Sequence, residues 1–260
     1  MEQFLQQIAS GLANGAIYAC VALALVMIYV STDHINFAQG EMAMFSTFTV
    51  WTVWNLGVPL PLAVLAGMVA GFVIGALVHQ VAVSPVGDPH EKPLAVVIVT
   101  IGLFVGLNGA AQLIWGTLDR ELPPLFGNGQ VEIAGVAIAW QKIGAVAVLA
   151  VLALLFWLLF QRTRVGLAMR TVASNSESAS LVGIPVPKLL MLGWGLSAAV
   201  GTVAGVFTAP GRGLGSNLMQ LTLIFGFAAI TLGGFDSLLG AVVGGFVVGG
   251  AQGRGRKLGR

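Results

Sequence analysis

Five stretches of this chain, Leu12–Val30, Leu60–Val83, Leu94–Trp115, Ile143–Phe160 and Leu189–Thr208, contain no Asp, Glu, Lys or Arg. A helix of roughly 20 apolar residues is long enough to cross the hydrocarbon core of a bilayer. Inside that core every backbone N–H and C=O must be paired within the protein, which leaves helices or closed barrels. The polar/apolar alternation of a barrel strand is absent throughout, so the runs read as helices. Composition agrees: the 260 residues are 57% hydrophobic and 8% charged, against about 45–50% and 25% for a soluble domain.

Three further segments are weaker. Ile35–Leu56 carries Glu41, and Leu218–Leu232 and Leu238–Ala251 are short for a full crossing; the last two are tilted together, re-entrant or cut short. The chain therefore reads as an all-α integral membrane protein, a polytopic bundle of about eight transmembrane segments. Its membrane domain spans residues 1–250, and residues 251–260 form a separate basic tail. The N-terminus carries Glu2 and no Lys or Arg before the first apolar run, unlike a signal peptide, so that run is read as a retained span. The lone Cys20 rules out a disulfide framework within the chain. The net charge of +2 has no nucleic-acid meaning, because the basic residues sit in loops and tail and form no continuous face.

Orientation follows from Lys and Arg, which resist translocation and collect in short cytoplasmic loops. The long polar stretch Arg162–Lys188 holds Arg162, Arg164, Arg170 and Lys188 and is assigned to the cytoplasm. Thr32–Gln39 and Asp88–Lys92 then share that side, while Thr117–Gln141, with Asp119, Glu121 and Glu132, and the N-terminus face out. Up to Leu238 the inside loops hold Lys92, Arg162, Arg164, Arg170 and Lys188, and the outside segments Arg120, Lys142 and Arg212. The tail breaks the rule. Arg254, Arg256, Lys257 and Arg260 emerge outside if Leu238–Ala251 spans. Either that segment turns back, or the tail is foreign to the bundle.

The cytoplasmic stretch is longer than a bare connection needs, and it encodes a helix of its own. Ser174 and Glu177 have the spacing of a Ser-x-x-Glu capping box, and Gly183 followed by Pro185 supplies a stop. An ordered helix placed there suits docking to another protein, with a merely solvated helix as the alternative.

Glycine, 36 residues of 260, is abundant for helices, where it costs up to about 1 kcal/mol relative to Ala. Its spacing supplies a reason. Ala63, Gly67, Gly71 and Gly75 repeat every fourth residue, as do Ser197, Gly201 and Gly205, and the pairs Gly102/Gly106, Gly240/Gly244 and Gly245/Gly249. Small residues at that period let helices approach closely where lipid gives no hydrophobic drive to associate. A ligand-facing backbone is the other reading.

Motifs for chemistry are missing. There is no His-Glu-x-x-His and no Gly-x-x-x-x-Gly-Lys-[Ser/Thr], so neither zinc proteolysis nor ATP hydrolysis is encoded by this chain. His34, His79 and His90 lie at the ends of apolar runs, where solvated side chains are expected. Ser197 has no partner base in any span. What remains is a set of polar residues at membrane depth: Asn14, Gln39, Glu41, and the pair Asn108 and Gln112, one turn apart on one helix face. Such groups face a bundle interior or a water path. Gln39, Glu41, Asn108 and Gln112 are therefore candidates for a translocation route, with hydrogen bonding to a neighbouring helix as the structural alternative for Asn108 and Gln112. Glu41, read as close to the cytoplasmic boundary, is a gate or a solvated loop cap.

Several segments carry a family resemblance. Ile35-Asn-Phe-Ala-Gln-Gly-Glu-Met-Ala-Met-Phe45, Thr163-Arg-Val-Gly-Leu-Ala-Met-Arg170, Glu177-Ser-Ala179 with Gly183-Ile184, Leu196–Gly205 and Leu232–Gly245 occur in colinear order. Together they resemble the LivH-type permeases of branched-chain amino acid ABC importers. The resemblance implies a partner set: a second related permease, two cytoplasmic ATP-binding subunits and a periplasmic amino-acid-binding protein, in a prokaryotic inner membrane and with no cofactor. It implies that Arg162–Gly183 couples to the ATPase, with Arg162, Arg164, Arg170, Ser174, Glu177, Ala179 and Gly183 as coupling residues. Leucine, isoleucine and valine are the family default, and relatives carry other amino acids, amides or urea. A channel, a secondary carrier, a scaffold or a non-functional truncated paralogue are the rival readings; a carrier should show buried coupling carboxylates. Asp236 stands where the family usually has Gly, and the resemblance stops near Gly250, which implies C-terminal truncation.

Overall fold

The computed structural model describes residues 2–32, 34–86, 93–133 and 136–255. Asp88–Lys92 with His90, and Arg256, Lys257 and Arg260 of the tail, lie outside these. Among the described residues there are ten α-helices: α1 (Glu2–Thr32), α2 (Gln39–Asn55), α3 (Leu60–Val78), α4 (Pro93–Trp115), α5 (Trp140–Arg162), α6 (Arg164–Ser174), α7 (Ser176–Leu181), α8 (Val186–Arg212), α9 (Gln220–Gly233) and α10 (Leu238–Gly255). Five helical segments, those of α1, α3, α4, α5 and α8, are long and apolar enough to cross a membrane. Those of α9 and α10 are shorter apolar helices, and α2 has 17 residues.

The core is built around α1 and α8, whose apolar residues from Ala16 to Ile28 and from Trp194 to Ala209 are almost all buried. On α3, α4 and α5 the pattern reverses. Leu62, Leu65, Val69, Val73 and Leu77 on α3 point outward, as do Leu94, Ile98, Ile101 and Val105 on α4. An outer surface this apolar suits lipid and not water.

The predicted small-residue rows resolve into two kinds. A Cβ on Gly75 would meet the carbonyl oxygen of Trp194 at 2.3 Å, and one on Gly71 the hydroxyl of Thr202 at 2.6 Å, so α3 lies backbone to backbone on α8. Gly201 and Gly205 do the same for α2, against Ala43 and Thr47, and Gly245 and Gly249 receive α1 at Ala19 and Gly15. These rows are packing rows, as expected of membrane helices. Gly102 and Gly106 of α4 are different: a Cβ on either would meet nothing within 4 Å.

Three sequence expectations are corrected. First, Ser174 is not the cap of the predicted docking helix. It is the last residue of α6, and Asn175 caps α7, its Oδ1 accepting from the Ser178 N–H at 2.7 Å. A β-region Asn serves the orphan N–H groups of the first turn as well as a Ser does, and it ends one helix while starting the next. Second, His34 and His79 are buried rather than solvated at an edge. Third, the loop between α4 and α5 contains strands: β1 (Gln130–Ile133) pairs antiparallel with β2 (Val136–Ala139), Val131 opposite Ile138. Four residues per strand are too few for alternation to stand out against a loop.

Candidate functional site: a buried polar cluster and a helical hairpin

α2 begins deep inside the bundle. Gln39, its first residue, is bound to Ser197 of α8: Gln39 Nε2 donates to the Ser197 carbonyl oxygen at 3.1 Å, and Ser197 Oγ donates to Gln39 Oε1 at 2.9 Å. The same hydroxyl also donates to the carbonyl oxygen of Ala24 on α1, at 2.6 Å. Thr32 ends α1 a further two turns on, about 12 Å at 1.5 Å per residue. The chain therefore doubles back into the bundle after α1 before α2 can start. His34, Asn36 and Ala38 on this return are all buried, and Asn36 Oδ1 accepts from the Ala38 N–H at 2.9 Å. Non-helical backbone at such depth is tolerated only where protein covers it or a cavity wets it.

α9 starts beside it. A Cβ on Gly40 would touch Leu223 at 3.2 Å and Met219 at 3.5 Å. Ahead of α9 the non-helical segment 213–219 enters the interior with Leu214, Leu218 and Met219 buried. Its upper end is tied down by an antiparallel bridge between Leu214 and Arg120, with N–H to carbonyl distances of 2.8 and 2.9 Å. The guanidinium of Arg120 lies 4.9 Å from the centre of the Trp51 ring and donates to the Trp115 carbonyl oxygen at 2.9 Å.

Glu41 sits in the first turn of α2 and is only 1% exposed, so it is not the solvated side chain that its place in the sequence suggested. Asn108 of α4 donates from Nδ2 to Glu41 Oε2 at 3.1 Å and to the Ser216 carbonyl oxygen at 2.9 Å. Gln112 in turn donates to Asn108 Oδ1 at 2.6 Å. Glu41, Asn108 and Gln112 thus form one hydrogen-bonded chain across α2, α4 and the 213–219 segment. Gln39 belongs to a separate clamp among α1, α2 and α8. Sequence periodicity pairs Asn108 with Gln112 but has no signal for Ser216, because a backbone carbonyl carries none.

α2 also contributes Met42 to a second buried patch, with Ile28, Val83, Val96, Trp194 and Ala198. α3 enters it through a π-helical turn, His79–Val83, which places the His79 ring 5.8 Å from that of Trp194.

The remaining predicted residues run from the end of α5 through α6 and α7 to the turn after it. Thr163 caps α6 by accepting from the Gly166 N–H at 3.0 Å, and Met169 and Val172 bury the inner face of the helix. Arg162, Arg164 and Arg170 are exposed, as are Ser174 and Glu177. Ala179 is fully buried, so it seats α7 and offers nothing to a partner. Gly183 takes φ +83°, and the Gly183 and Ile184 N–H groups bond to the carbonyl oxygens of Ser180 and Ala179, both at 3.0 Å. This left-handed stop is the predicted one. Leu181 and Val182 beside it are 83% and 74% exposed, a signal the sequence reading passed over.

Beyond Gly250, α10 continues to Gly255, and Gln252 Oε1 accepts from Tyr18 at 2.5 Å and from Asn14 at 3.3 Å on α1.

A helical bundle with lipid-suited outer faces and a polar cluster enclosed between broken segments defines a multi-pass membrane protein of the transport class. Residues 7–259 match the family described as "Branched-chain amino acid transport system / permease component", and the chain belongs to that family. The match extends beyond Gly250 into the basic tail. The chain is 32% identical over 266 residues to the high-affinity branched-chain amino acid transport system permease protein LivH of Escherichia coli, covering 96% of this chain and 85% of the relative. It is 30% identical over 264 residues to the corresponding BraD of Pseudomonas aeruginosa, with the same coverage. The autoinducer 2 import system permease protein LsrD of Salmonella typhi is 25% identical, over 88% of this chain and 69% of the relative. No solved structure matches the chain.

Proposed function

We propose that this chain is the transmembrane permease subunit of an ATP-driven importer of leucine, isoleucine and valine in the inner membrane of a prokaryote. It works with a second related permease, two cytoplasmic ATP-binding subunits and a periplasmic amino-acid-binding protein. The observation that carries this reading is the likeness to LivH and BraD over 96% of the chain, which is both longer and stronger than the likeness to LsrD and favours a branched-chain amino acid over autoinducer 2. In this reading the chain needs no cofactor and no catalytic residue of its own; the translocation path forms against the second permease by alternating access.

In this reading α6 and α7 face the cytoplasm and the N-terminus faces the periplasm. The α7 hairpin is the element the ATP-binding subunits push. Its cap at Asn175, its buried Ala179 and its Gly183 stop make it stiff enough to pass on a displacement. Arg162, Arg164, Arg170, Glu177 and the exposed Leu181 and Val182 are the groups available to the partner. Glu41, Asn108 and Gln112 border the path, and Gln39 keeps α2 in register for it.

Co-purification tests the assembly. Expressed with its neighbouring permease and ATP-binding subunits and captured by an N-terminal tag, the chain is expected in a stoichiometric complex. Binding protein loaded with leucine should stimulate ATP hydrolysis by that complex. Recovery of the chain alone under conditions where it is stably inserted would contradict the reading.

A further inference from the structure

The Glu41 carboxylate is the anomaly of this bundle. It is 1% exposed, between two helix starts well inside the protein, and its recorded partner is the neutral amide of Asn108. Among the described residues no Lys, Arg or His pairs with it. An isolated buried carboxylate is expensive and is found where a cation compensates it or where it carries function. A second acceptor shares that amide with it. The Ser216 carbonyl oxygen, from non-helical backbone, converges on the same Asn108 Nδ2 that Glu41 uses, at 2.9 and 3.1 Å. The two hydrogens of that amide serve one acceptor each, which leaves the other Glu41 oxygen, Oε1, and the second lone pair of the Ser216 carbonyl for a further donor. A carboxylate and a backbone carbonyl directed at one point form a receptor for a compact cation that brings several N–H donors, and a primary ammonium has three.

Access runs along α4. Asn108 and Gln112 are half-buried, their amides lead from the α4 surface to Glu41, and Cβ atoms on the neighbouring Gly106 and Gly109 would meet nothing within 4 Å. The cluster is therefore enclosed by one loosely flanked helix and not by the tightly packed α1–α8 core. Met42, the residue after Glu41 on α2, is packed in a buried apolar patch with Ile28, Val83 and Val96.

We infer that Glu41, with the Ser216 carbonyl oxygen and oriented by Asn108, binds the ammonium group of the transported amino acid inside the membrane. This rests on the importer reading above and adds to it a substrate site within the permease. The cation replaces the missing donors, and Asn108 then serves as the hinge of the network by releasing Ser216 or Glu41 to the ligand.

The test is binding of radiolabelled leucine to the purified permease–ATPase complex with the binding protein omitted, so that the remaining amino-acid site lies in the membrane. Competitors are leucinol, which keeps the ammonium and lacks the carboxylate, and 4-methylpentanoate, which lacks the ammonium. The inference predicts that leucinol displaces leucine and that 4-methylpentanoate does not. Glu41→Gln, nearly isosteric, should lower leucine occupancy at least tenfold while the complex still co-purifies in full stoichiometry, and Glu41→Asp should recover part of the loss. Equal competition by both compounds, unchanged binding in Glu41→Gln, or no leucine bound by a wild-type complex that imports leucine when the binding protein is restored would overturn it. A wild-type complex that imports no amino acid overturns the importer reading instead, so the two failures are distinguishable.

Discussion

Ser197 and Gln39 hold each other at two points, with Ser197 Oγ to Gln39 Oε1 at 2.9 Å and Gln39 Nε2 to the Ser197 carbonyl oxygen at 3.1 Å. Because the same hydroxyl reaches Ala24 at 2.6 Å, three helices meet at one buried serine. This clamp sets where α2 starts, and hence where Glu41 stands one half-turn later. Ser197→Ala removes the hydroxyl and leaves a Gln39 acceptor unpaired. It should cost about 1–2 kcal/mol, read as a melting temperature lowered by about 2–4 °C per kcal/mol in detergent. A melting curve identical to wild type would mean that the clamp is not formed.

Gly75 and Gly102 make opposite predictions from the same chemistry. An alanine Cβ at Gly75 would lie 2.3 Å from the Trp194 carbonyl oxygen, which forces α3 away from α8. Gly75→Ala should destabilise by about 1–3 kcal/mol, the usual range for overpacking. At Gly102 a Cβ meets nothing within 4 Å. In the isolated chain Gly102→Ala should be neutral or stabilising by up to about 1 kcal/mol, the helix-propensity difference. Thermal melting of the two purified variants decides, and loss of stability in both would refute the assignment of α4 to an open face.

The hairpin predictions shift with the true cap. Reading Ser174 as the cap makes Glu177 the third helical residue, from whose N–H the Ser174 side chain would accept, so that Glu177→Pro removes the cap's partner. With Asn175 as the cap, Glu177 falls in the first turn, where proline is tolerated. The disruptive substitution is Ala179→Pro, which removes the Ala179 N–H bond to the Asn175 carbonyl oxygen at 3.0 Å and crowds a fully buried position. Gly183→Val, at φ +83°, should act in the same way through the lost stop. Both variants are expected to insert and accumulate normally while ATP-driven uptake falls at least tenfold. Asn175→Ala, worth about 1 kcal/mol of helix stability, should give an intermediate loss. Uptake at the wild-type rate in Ala179→Pro and Gly183→Val would remove α7 from the coupling path.

Gln252 tests whether the chain beyond Gly250 belongs to the bundle. Its Oε1 accepts from Tyr18 and Asn14 at 2.5 and 3.3 Å, so Gln252→Ala should lower stability by about 1 kcal/mol. An unchanged melting temperature would show that the α10 extension does not pack on α1.

Much of the fold was legible because lipid is a severe solvent. Uncharged runs of helical length gave the five long helices, with ends within a few residues of those observed for α3, α4 and α5. The every-fourth-residue rows on α3, α8 and α10 marked real backbone contacts. The same rule overreached at Gly102 and Gly106, since spacing cannot tell which face has a neighbour. Glu41 was misplaced for a different reason: position along a hydrophobic run was taken as depth, and the doubling back of residues 34–38 broke that relation. Only the contacts of Gln39 with Ser197 reveal the offset. Ser216 contributes through its backbone and leaves no mark in composition or spacing. The cap moved by one residue because Ser174 and Asn175 are both good N-caps, and the end of α6 chooses between them.

The most direct measurement of the account is transport by the reconstituted system. Proteoliposomes holding this chain, its partner permease and the ATP-binding subunits, with ATP enclosed on the cytoplasmic face and binding protein outside, are given radiolabelled leucine. The account predicts ATP-dependent accumulation above the external concentration, lost without the binding protein and lost with Gly183→Val. Leucine entry that only equilibrates across the membrane, and does so without ATP, would identify a channel or facilitator and contradict it.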